Sequence, residues 1–356
     1  MDEIDTILHT YTSLSTDGGK AALATLVHVS GAAFRRVGAR MLIAGDGRTT
    51  GAITAGCIET DIVEKSRAVV ESGSPIVVRY DTGSEKEILF GWGSGCQGVL
   101  SVLIEPVQGN GFGGALPYLA KRRLARETAT IATIYDVGGS TSEFKLGRHL
   151  FDSDAIELAS IENDHDGPYA ESRTLEVDKS VVHALVEQIP PPNRLVIFGA
   201  GAVSEPLALF ANETGWEVKV IERRSAFADQ SRFHKNVELI CTPYESVGDV
   251  ITLDTSTAVV ITTHNFLDDC FLMKKSIASS ARAIAVLSSR RRAANLIETI
   301  EAEDGPLDST QRERIYAPAG IDIGGDTPSR IALSIIAQLS QIFSGAGGGA
   351  LRDKIT

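Results

Sequence analysis

A short apolar run at residues 195–198 leads directly into the turn Gly199-Ala200-Gly201, and a helical pattern follows over residues 203–214. A glycine turn between a strand and a helix restricts the fold more than any other feature of this sequence. Its first glycine permits the tight turn, its second lets the backbone approach a pyrophosphate, and its sixth position, here Ser204, must be small. The turn therefore predicts that helix N-terminal amides bind an anion, through contacts at Gly199, Ala200, Gly201, Ala202 and Val203.

The segments after the turn continue an alternation of strands and helices. Further strands are predicted at 217–221, 237–240, 258–262 and 283–287, and a last helix runs from about 328 to 343. Strands that alternate with helices form a parallel sheet covered on both faces. Glu222 ends the second strand, which is where an acid binds a ribose hydroxyl in dinucleotide-binding domains. We therefore expect a Rossmann-type, doubly wound parallel sheet over residues 190–356.

The first half has a different pattern, and the run Pro190-Pro191-Pro192 separates it from the second. Helices and strands follow one another without a regular alternation, so we expect a mixed α/β domain over residues 1–189. Helices are predicted at 1–14, from Cys57 to about 72, and at 116–127; strands are predicted at 21–30, 40–44, 50–54, 74–80, 99–104, 129–135 and 181–189. Residues 137–170 carry only a weak pattern with many acidic side chains.

The net charge and the N-terminal residues limit the partners and the compartment. The chain has 356 residues and a formal net charge of −12, and an acidic surface repels a phosphate backbone, so no nucleic-acid partner is expected. A small anionic, nucleotide-like ligand would need a local site such as a helix N-terminus. No apolar run reaches the roughly 18 residues that span a bilayer, and no secretory signal pattern is present. We expect no membrane association, a cytoplasmic location and free thiols at all cysteines.

Two cysteines lie in glycine-rich turns of the first half. Cys57 follows Gly56 at the start of a predicted helix, whose N-terminus would favour a thiolate. Cys96 lies in the loop 91–98, and the four glycines of this loop let the backbone come close to a ligand. The two thiols could converge on one pocket as catalytic groups or as metal ligands. Alternatively, each could be a small buried apolar residue.

Further candidate contacts follow the predicted strands of the second half. His264 comes at the end of a strand, where open α/β sheets bind ligands, so it could contact a cofactor or act in acid–base catalysis, or it could be structural. Arg290 could bind a phosphate or form the exposed first turn of a helix. Arg223 could hold a 2′-phosphate or remain a solvated surface charge. Asp322 lies in a loop of small residues that either borders a pocket or forms a tight connection.

Taken together, these motifs make the chain resemble the XdhC/CoxI family over nearly its whole length. The motifs, in chain order, are Gly56-Cys57-Ile58-Glu59, Gly95-Cys96-Gln97-Gly98, Leu103-Ile104-Glu105-Pro106, the segment from Pro191 to Gly201, Thr263-His264, Ser289-Arg290, the segment from Ala317 to Gly324, and Thr327-Pro328. Four positions depart from the family pattern. Ala55 stands where the family has the first glycine of G-G-C, and Gln97 stands where it has the first glycine of C-G-G. Position 204 is a serine, and Ala202 stands where a histidine is often found after the glycine turn.

The resemblance implies an accessory factor that binds molybdenum cofactor, a molybdopterin, and aids its sulfuration and insertion into a xanthine dehydrogenase-type molybdenum hydroxylase. It implies a client hydroxylase and a cysteine desulfurase as partners, and a homodimer. Thiolates are soft ligands, so Cys57 and Cys96 would contact molybdenum or the sulfur that is installed. The alternative is an NAD(P)-dependent oxidoreductase that acts on a small carbonyl or imine, with His264 or a cysteine as its acid–base group.

Overall fold

The structure is a computed structural model that describes residues 3–81, 98–107, 114–138, 144–159, 169–177 and 180–353. The chain forms two compact units, Glu3–Pro191 and a second unit that contains Pro192–Thr356. The domain boundary between residues 189 and 190 stays a prediction. None of the helices in the described ranges is long and apolar enough to cross a membrane.

The first unit is built from two antiparallel sheets and four described helices. Its elements are α1 (Glu3–Thr16), β1 (Ala21–Gly31), β2 (Arg40–Ala44), β3 (Thr49–Gly51), α2 (Glu59–Ser72), β4 (Ile76–Asp81), β5 (Gly98–Val107), α3 (Ala115–Ala125), β6 (Ala129–Gly138), β7 (His149–Phe151), α4 (Asp152–Ala159), β8 (Tyr169–Val177) and β9 (Ser180–Ile189). Within the described residues, the strand orders are β3-β2-β1-β5-β4 and β7-β6-β9-β8. The mixed α/β prediction is confirmed, whereas β7, α4 and β8 were not predicted.

Side chains from both sheets meet in one buried cluster of Val27, Leu103, Tyr135 and Leu185. Helix α2 covers the opposite face of the first sheet, where its Ile62 is fully buried. An ion pair between Arg40 of β2 and Glu187 of β9 also links the two sheets, and both of its side chains are buried. The first unit is therefore held together by a shared apolar core and by polar links between the sheets.

The second unit is a parallel sheet with helices between its strands. Its elements are β10 (Arg194–Phe198), α5 (Ser204–Glu213), β11 (Glu217–Glu222), β12 (Glu238–Cys241), α6 (Val247–Val250), β13 (Thr257–Ile261), α7 (Phe266–Ile277), β14 (Ala283–Val286), α8 (Arg290–Asp304), α9 (Ser309–Glu313), β15 (Ile315–Tyr316) and α10 (Pro328–Ser344). The six strands lie in the order β12-β11-β10-β13-β14-β15, and all pairs are parallel. This is the strand order of dinucleotide-binding Rossmann folds.

Alternate residues of each strand pack on opposite faces of this sheet. On one face, Ile197 and Val260 pack against α5 and α10. On the other face, Phe198 and Ile261 pack against α7 and α8. The predicted Rossmann-type, doubly wound sheet is confirmed, and its strand order reverses between β10 and β13. The loops after these two strands therefore meet at the edge where such sheets bind ligands.

Candidate functional site

The glycine turn after β10 is held by its neighbours on both sides. Gly199 has a φ of 99°, and its N–H donates to the carbonyl of Ile221 at 2.8 Å. A Cβ at this position would lie 3.1 Å from the carbonyl oxygen of Thr262. Because the end of β13 comes so close and the φ is left-handed, only glycine fits here without strain.

Gly201, by contrast, is not required by any contact with the residues that the structure describes. Its φ is not left-handed, and a Cβ added here would approach only the carbonyl oxygen of Thr262, at 4.0 Å. The N–H groups of Gly201, Ala202 and Val203 donate to no acceptor among the described residues. A glycine with free space in front of it and unpaired amides beside it is suited to the close approach of a ligand backbone or phosphate.

Ser204, at the sixth position of the turn, makes hydrogen bonds through its hydroxyl group that glycine or alanine could not make. Its hydroxyl donates to the carbonyl of Gly199 at 2.6 Å and lies 3.0 Å from the hydroxyl of Thr262. Thr262 in turn donates to the carbonyl of Phe198 at 2.9 Å. This buried chain of hydroxyl groups ties the turn to the end of the neighbouring strand and makes its conformation rigid.

Glu222 lies at the end of β11 and is fully buried. One oxygen accepts from the Ala200 N–H at 3.0 Å; the other accepts from the N–H and the Nε–H of Arg224, at 2.9 and 2.8 Å. Burial raises the pKa of this carboxyl, but the hydrogen bonds from Arg224 and Ala200 outweigh it and hold the pKa below the usual value. The acid is therefore ionised at neutral pH, and a ribose hydroxyl would have to compete for oxygens that are already bonded.

The guanidinium of Arg232 covers the carbonyl side of the same turn. It donates to the carbonyl of Ala200 at 2.8 Å and lies 3.4 Å from that of Gly201, and Glu205 lies 3.6 Å away. The sequence gives no signal for this residue, because Arg232 ends a short 3-10 helix after β11 and no motif surrounds it. Its positive charge stabilises these two carbonyl groups, which point away from the amides of the turn.

Arg223 is exposed and is paired with another residue of the second unit. Its guanidinium lies 2.9 Å from the carboxylate of Asp268 and 5.9 Å from the centre of the Tyr244 ring. Burial raises the pKa of Asp268, although Arg223 opposes this effect. The sequence did not indicate that Arg223 has this partner. A 2′-phosphate would have to displace the ion pair in order to bind Arg223.

His264 is exposed on the loop after β13, next to the strand that carries the glycine turn. Its φ of 58° is left-handed, which is uncommon outside glycine and asparagine. The residues beside it are fixed, because Asn265 caps α7 through Leu267 and Asp268 and Thr263 donates to Asp269 at 2.5 Å. The backbone of His264 is thus strained, and its exposed side chain lies at the ligand-binding edge of the sheet.

The other two predicted contacts are surface residues. Arg290 is the exposed first residue of α8, after the N-cap Ser289. Asp322 is exposed in the loop before α10. Both follow strands that end at the same edge of the sheet, but no contact joins either side chain to the glycine turn. Their roles in ligand binding stay predictions.

Cys57 lies in the loop before α2 and is partly buried. Its N–H donates to the hydroxyl of Thr54 at 3.2 Å. The carboxylate of Glu59 accepts from the N–H groups of Thr54 at 2.6 Å and Ile58 at 3.2 Å. Of the amides that were expected to favour a thiolate at Cys57, that of Ile58 therefore already has a negatively charged partner.

Three of the cysteines fall within the described residues, and Cys57, Cys241 and Cys270 are free thiols. Cys96 lies outside those residues, so the expected meeting of Cys57 and Cys96 stays a prediction. In the part of the chain that the structure describes, no group of three or more His, Cys, Asp or Glu side chains is arranged to hold a metal ion.

Comparisons with known proteins match both units. Residues 195–339 match the XdhC Rossmann domain family, and residues 14–81 match the XdhC and CoxI family. A curated relative from Bacillus subtilis strain 168, named as a probable subunit of xanthine dehydrogenase, is 27% identical over 92% of this chain and 95% of its own length. The chain also resembles "Molybdenum cofactor insertion chaperone PaoD" of Escherichia coli K12, at 35% identity over 23% of this chain and 26% of that protein.

A solved structure has the same fold along nearly the whole chain. It is described as a xanthine dehydrogenase from Bacillus halodurans, and it aligns with a TM-score of 0.72 and 27% sequence identity. The alignment covers 99% of this chain and 98% of the other. The similarity therefore extends over both units rather than over the Rossmann domain alone.

Proposed function

Since the chain belongs to the XdhC/CoxI family, we propose that it is an accessory factor that binds molybdenum cofactor for a xanthine dehydrogenase-type molybdenum hydroxylase. The observation that carries this proposal is the open space at Gly201 beside three unpaired amides. A cofactor with a terminal phosphate or a dinucleotide diphosphate suits such a turn. The printed name of the Escherichia coli relative supports the choice of cofactor.

In this proposal the protein binds and orients the cofactor through its phosphate. The amides of Gly201, Ala202 and Val203 would donate to it, and the hydroxyl chain at Ser204 would keep the turn rigid. Exposed His264 lies on the neighbouring loop and would contact the bound molecule. When bound, the cofactor would supply the molybdenum centre that the client enzyme uses for hydroxylation.

The test is to purify the full chain from a host that makes molybdopterin and to measure bound pterin by the fluorescence of its oxidation product. We expect molybdopterin with the natural chain and almost none with Gly201→Val, because the valine side chain fills the approach to the amides. Gly248→Val is the matched control, since a Cβ at Gly248 meets no atom within 4 Å and that residue lies in α6, away from the glycine turn. Equal pterin in both variants would contradict the proposal.

Sulfuration and insertion form the finer part of the proposal. We propose that Cys57 and Cys96 handle the sulfur or the metal, that a cysteine desulfurase supplies the sulfur, and that the factor works in the cytoplasm as a homodimer. Cys57→Ala and Cys96→Ala should retain molybdopterin but fail to activate the purified client enzyme in the presence of a desulfurase. Light scattering of the purified chain measures the oligomeric state, and a monomer would exclude the dimer.

The alternative function is an NAD(P)-dependent oxidoreductase. The strand order and the acid at the end of β11 favour it, but both oxygens of Glu222 are already bonded to Ala200 and Arg224. NADH and NADPH fluorescence titrations decide between the two functions. Binding at micromolar levels, followed by turnover of a carbonyl or imine, would support the oxidoreductase, whereas absence of binding at millimolar levels excludes it.

A further inference from the structure

The first unit contains a cavity of about 710 Å³ that has no role in the function proposed above. It lies where the first sheet, α3 and the segment before β7 meet. Leu23, Pro75 and Leu116 supply apolar walls, and Glu105, Lys145 and His149 are polar side chains on the same lining. Its volume falls in the range of small-molecule sites, which are mostly apolar with a few polar groups that orient the ligand.

Glu105 is the buried polar group of this cavity, with 9% of its surface exposed. Its Oε2 lies 2.8 Å from Nε2 of His149, and Nδ1 of His149 lies 3.0 Å from the hydroxyl of Thr133. A neutral imidazole satisfies both contacts when Nε2–H donates to Glu105 and Nδ1 accepts from Thr133. Because both ring nitrogens of His149 are bonded, the histidine fixes the orientation of the carboxylate and is not itself free for a ligand.

One oxygen of the Glu105 carboxylate is available to a ligand. Its Oε1 accepts no hydrogen bond from any described residue, so it can accept one from a molecule bound in the cavity. Lys145 lines the same cavity, is exposed, and has no ion-pair partner among the described residues. The cavity thus offers a hydrogen-bond acceptor at its buried side and a cation at its open side.

We propose that this cavity is a second ligand site, for a small molecule with two adjacent N–H donors at one end and an anionic group at the other. A guanine-type ring with a phosphate has this form: its ring N–H and amino group can donate in parallel to one carboxylate, as a guanidinium does. The apolar walls cover the faces of the ring, Glu105 accepts from its donor edge, and Lys145 attracts the phosphate. This site lies in the first unit and does not depend on the glycine turn.

The test is isothermal titration calorimetry of the full chain carrying Gly201→Val, so that the glycine turn cannot contribute. Guanosine monophosphate should bind. Inosine monophosphate, which lacks the amino group, should bind at least about tenfold more weakly, because a hydrogen bond to a charged group contributes about 1.5–3 kcal/mol. Adenosine monophosphate lacks the paired donors and should show no binding.

Two variants in the same background locate the binding. Glu105→Gln should weaken the binding of guanosine monophosphate at least about tenfold. Glu71→Gln, at an exposed glutamate of α2, is the matched control and should leave this affinity unchanged. Lys145→Ala alters an exposed side chain, and it should weaken the binding of guanosine monophosphate but not that of guanosine.

The proposal is overturned if guanosine monophosphate does not bind at millimolar concentration, or if neither Glu105→Gln nor Lys145→Ala changes its affinity. It is also overturned if the natural chain binds the nucleotide and the Gly201→Val chain does not, since the binding would then belong to the glycine turn. Glu105 and Lys145 are unchanged in both variants of the molybdopterin measurement, so failure of the nucleotide titration leaves the comparison of Gly201→Val with Gly248→Val standing.

Discussion

The buried ion pair between Arg40 and Glu187 gives the sharpest test of how the first unit is held together. Their side chains are only 4% and 3% exposed. Nη1 of Arg40 donates to Oε1 of Glu187 at 3.0 Å, Nη2 donates to Oε2 at 2.5 Å, and Nη1 also donates to the carbonyl of Gly38 at 2.9 Å. Arg40→Met keeps an unbranched side chain, shorter than that of arginine, and removes the charge, which leaves a buried carboxylate without its cation.

The expected cost follows from this burial. Removing one partner of a buried ion pair destabilises a protein by about 3–5 kcal/mol, because the remaining charge stays uncompensated. The pair itself is not fully satisfied, since Nε of Arg40 is buried without a hydrogen-bond partner. We therefore expect the double variant Arg40→Met/Glu187→Leu to lie within about 1 kcal/mol of the natural chain, because apolar side chains of similar volume can replace such pairs.

Hydrogen exchange of the amides in β2 and β9 measures this free energy in the full chain, without assuming that both units unfold together. A loss of about 3–5 kcal/mol corresponds to exchange that is about 10²–10⁴ times faster. Arg48→Met is the control, because the side chains of Arg48 and Asp46 are 80% and 53% exposed, and such surface pairs contribute less than about 1 kcal/mol.

Two results would refute the reasoning. If Arg40→Met accelerates exchange no more than Arg48→Met does, the buried carboxylate of Glu187 is not destabilised by the loss of its partner. If the cost of the double variant equals the sum of the two single variants, the two charges are not energetically coupled. Either result would mean that this ion pair does not help to hold the two sheets together.

Three further predictions concern the glycine turn, and fluorescence of buried Trp216 follows the unfolding of the second unit in each case. Gly199→Ala should destabilise this unit by about 2 kcal/mol or more, because of the left-handed φ and the close Thr262 carbonyl; a loss no larger than that of Gly201→Ala would contradict this. Ser204→Ala should cost about 1 kcal/mol through the lost hydroxyl hydrogen bonds, and an unchanged melting temperature would count against it. The pKa of Glu222 is lowered in the folded state, so its stabilising effect is complete above the unfolded value of about 4.3 and is lost as the pH falls through the folded value. Glu222→Gln should therefore flatten the acid side of the stability curve, and an unchanged acid side would show that this carboxylate is not linked to folding.

The Rossmann unit could be predicted from its sequence because each of its main signals is local. The apolar strand before Gly199, the glycine turn and the position of Glu222 all lie within one strand–helix–strand segment. The partners of Glu222 could not be predicted, since its ionised carboxylate is shared between a backbone amide of the turn and Arg224. Such sharing depends on how two loops approach each other in space, and the sequence pattern does not record this.

The first unit was less predictable because its second sheet is only partly buried. Within the described residues, strand β8 pairs with β9 alone, so its outward side chains are polar and its apolar pattern is weak. The hydrogen-bonded series Thr133–His149–Glu105 joins residues of three separate strands, and nothing near any of them in the chain indicates the other two. Long-range polar contacts of this kind can be identified only from a structure that gives the positions of the strands.

The order of strands in the first sheet limits which segments of this chain could fold independently. The XdhC and CoxI family match ends at residue 81, where β4 ends, yet within the described residues β4 pairs only with β5, which begins at Gly98. β5 is also the strand that joins β4 to β1. A protein trimmed to the matched segment would lack the strand that lies between β1 and β4 and would expose two unpaired edges, which invite aggregation. The segment matched by the family is thus shorter than the sheet to which it contributes strands.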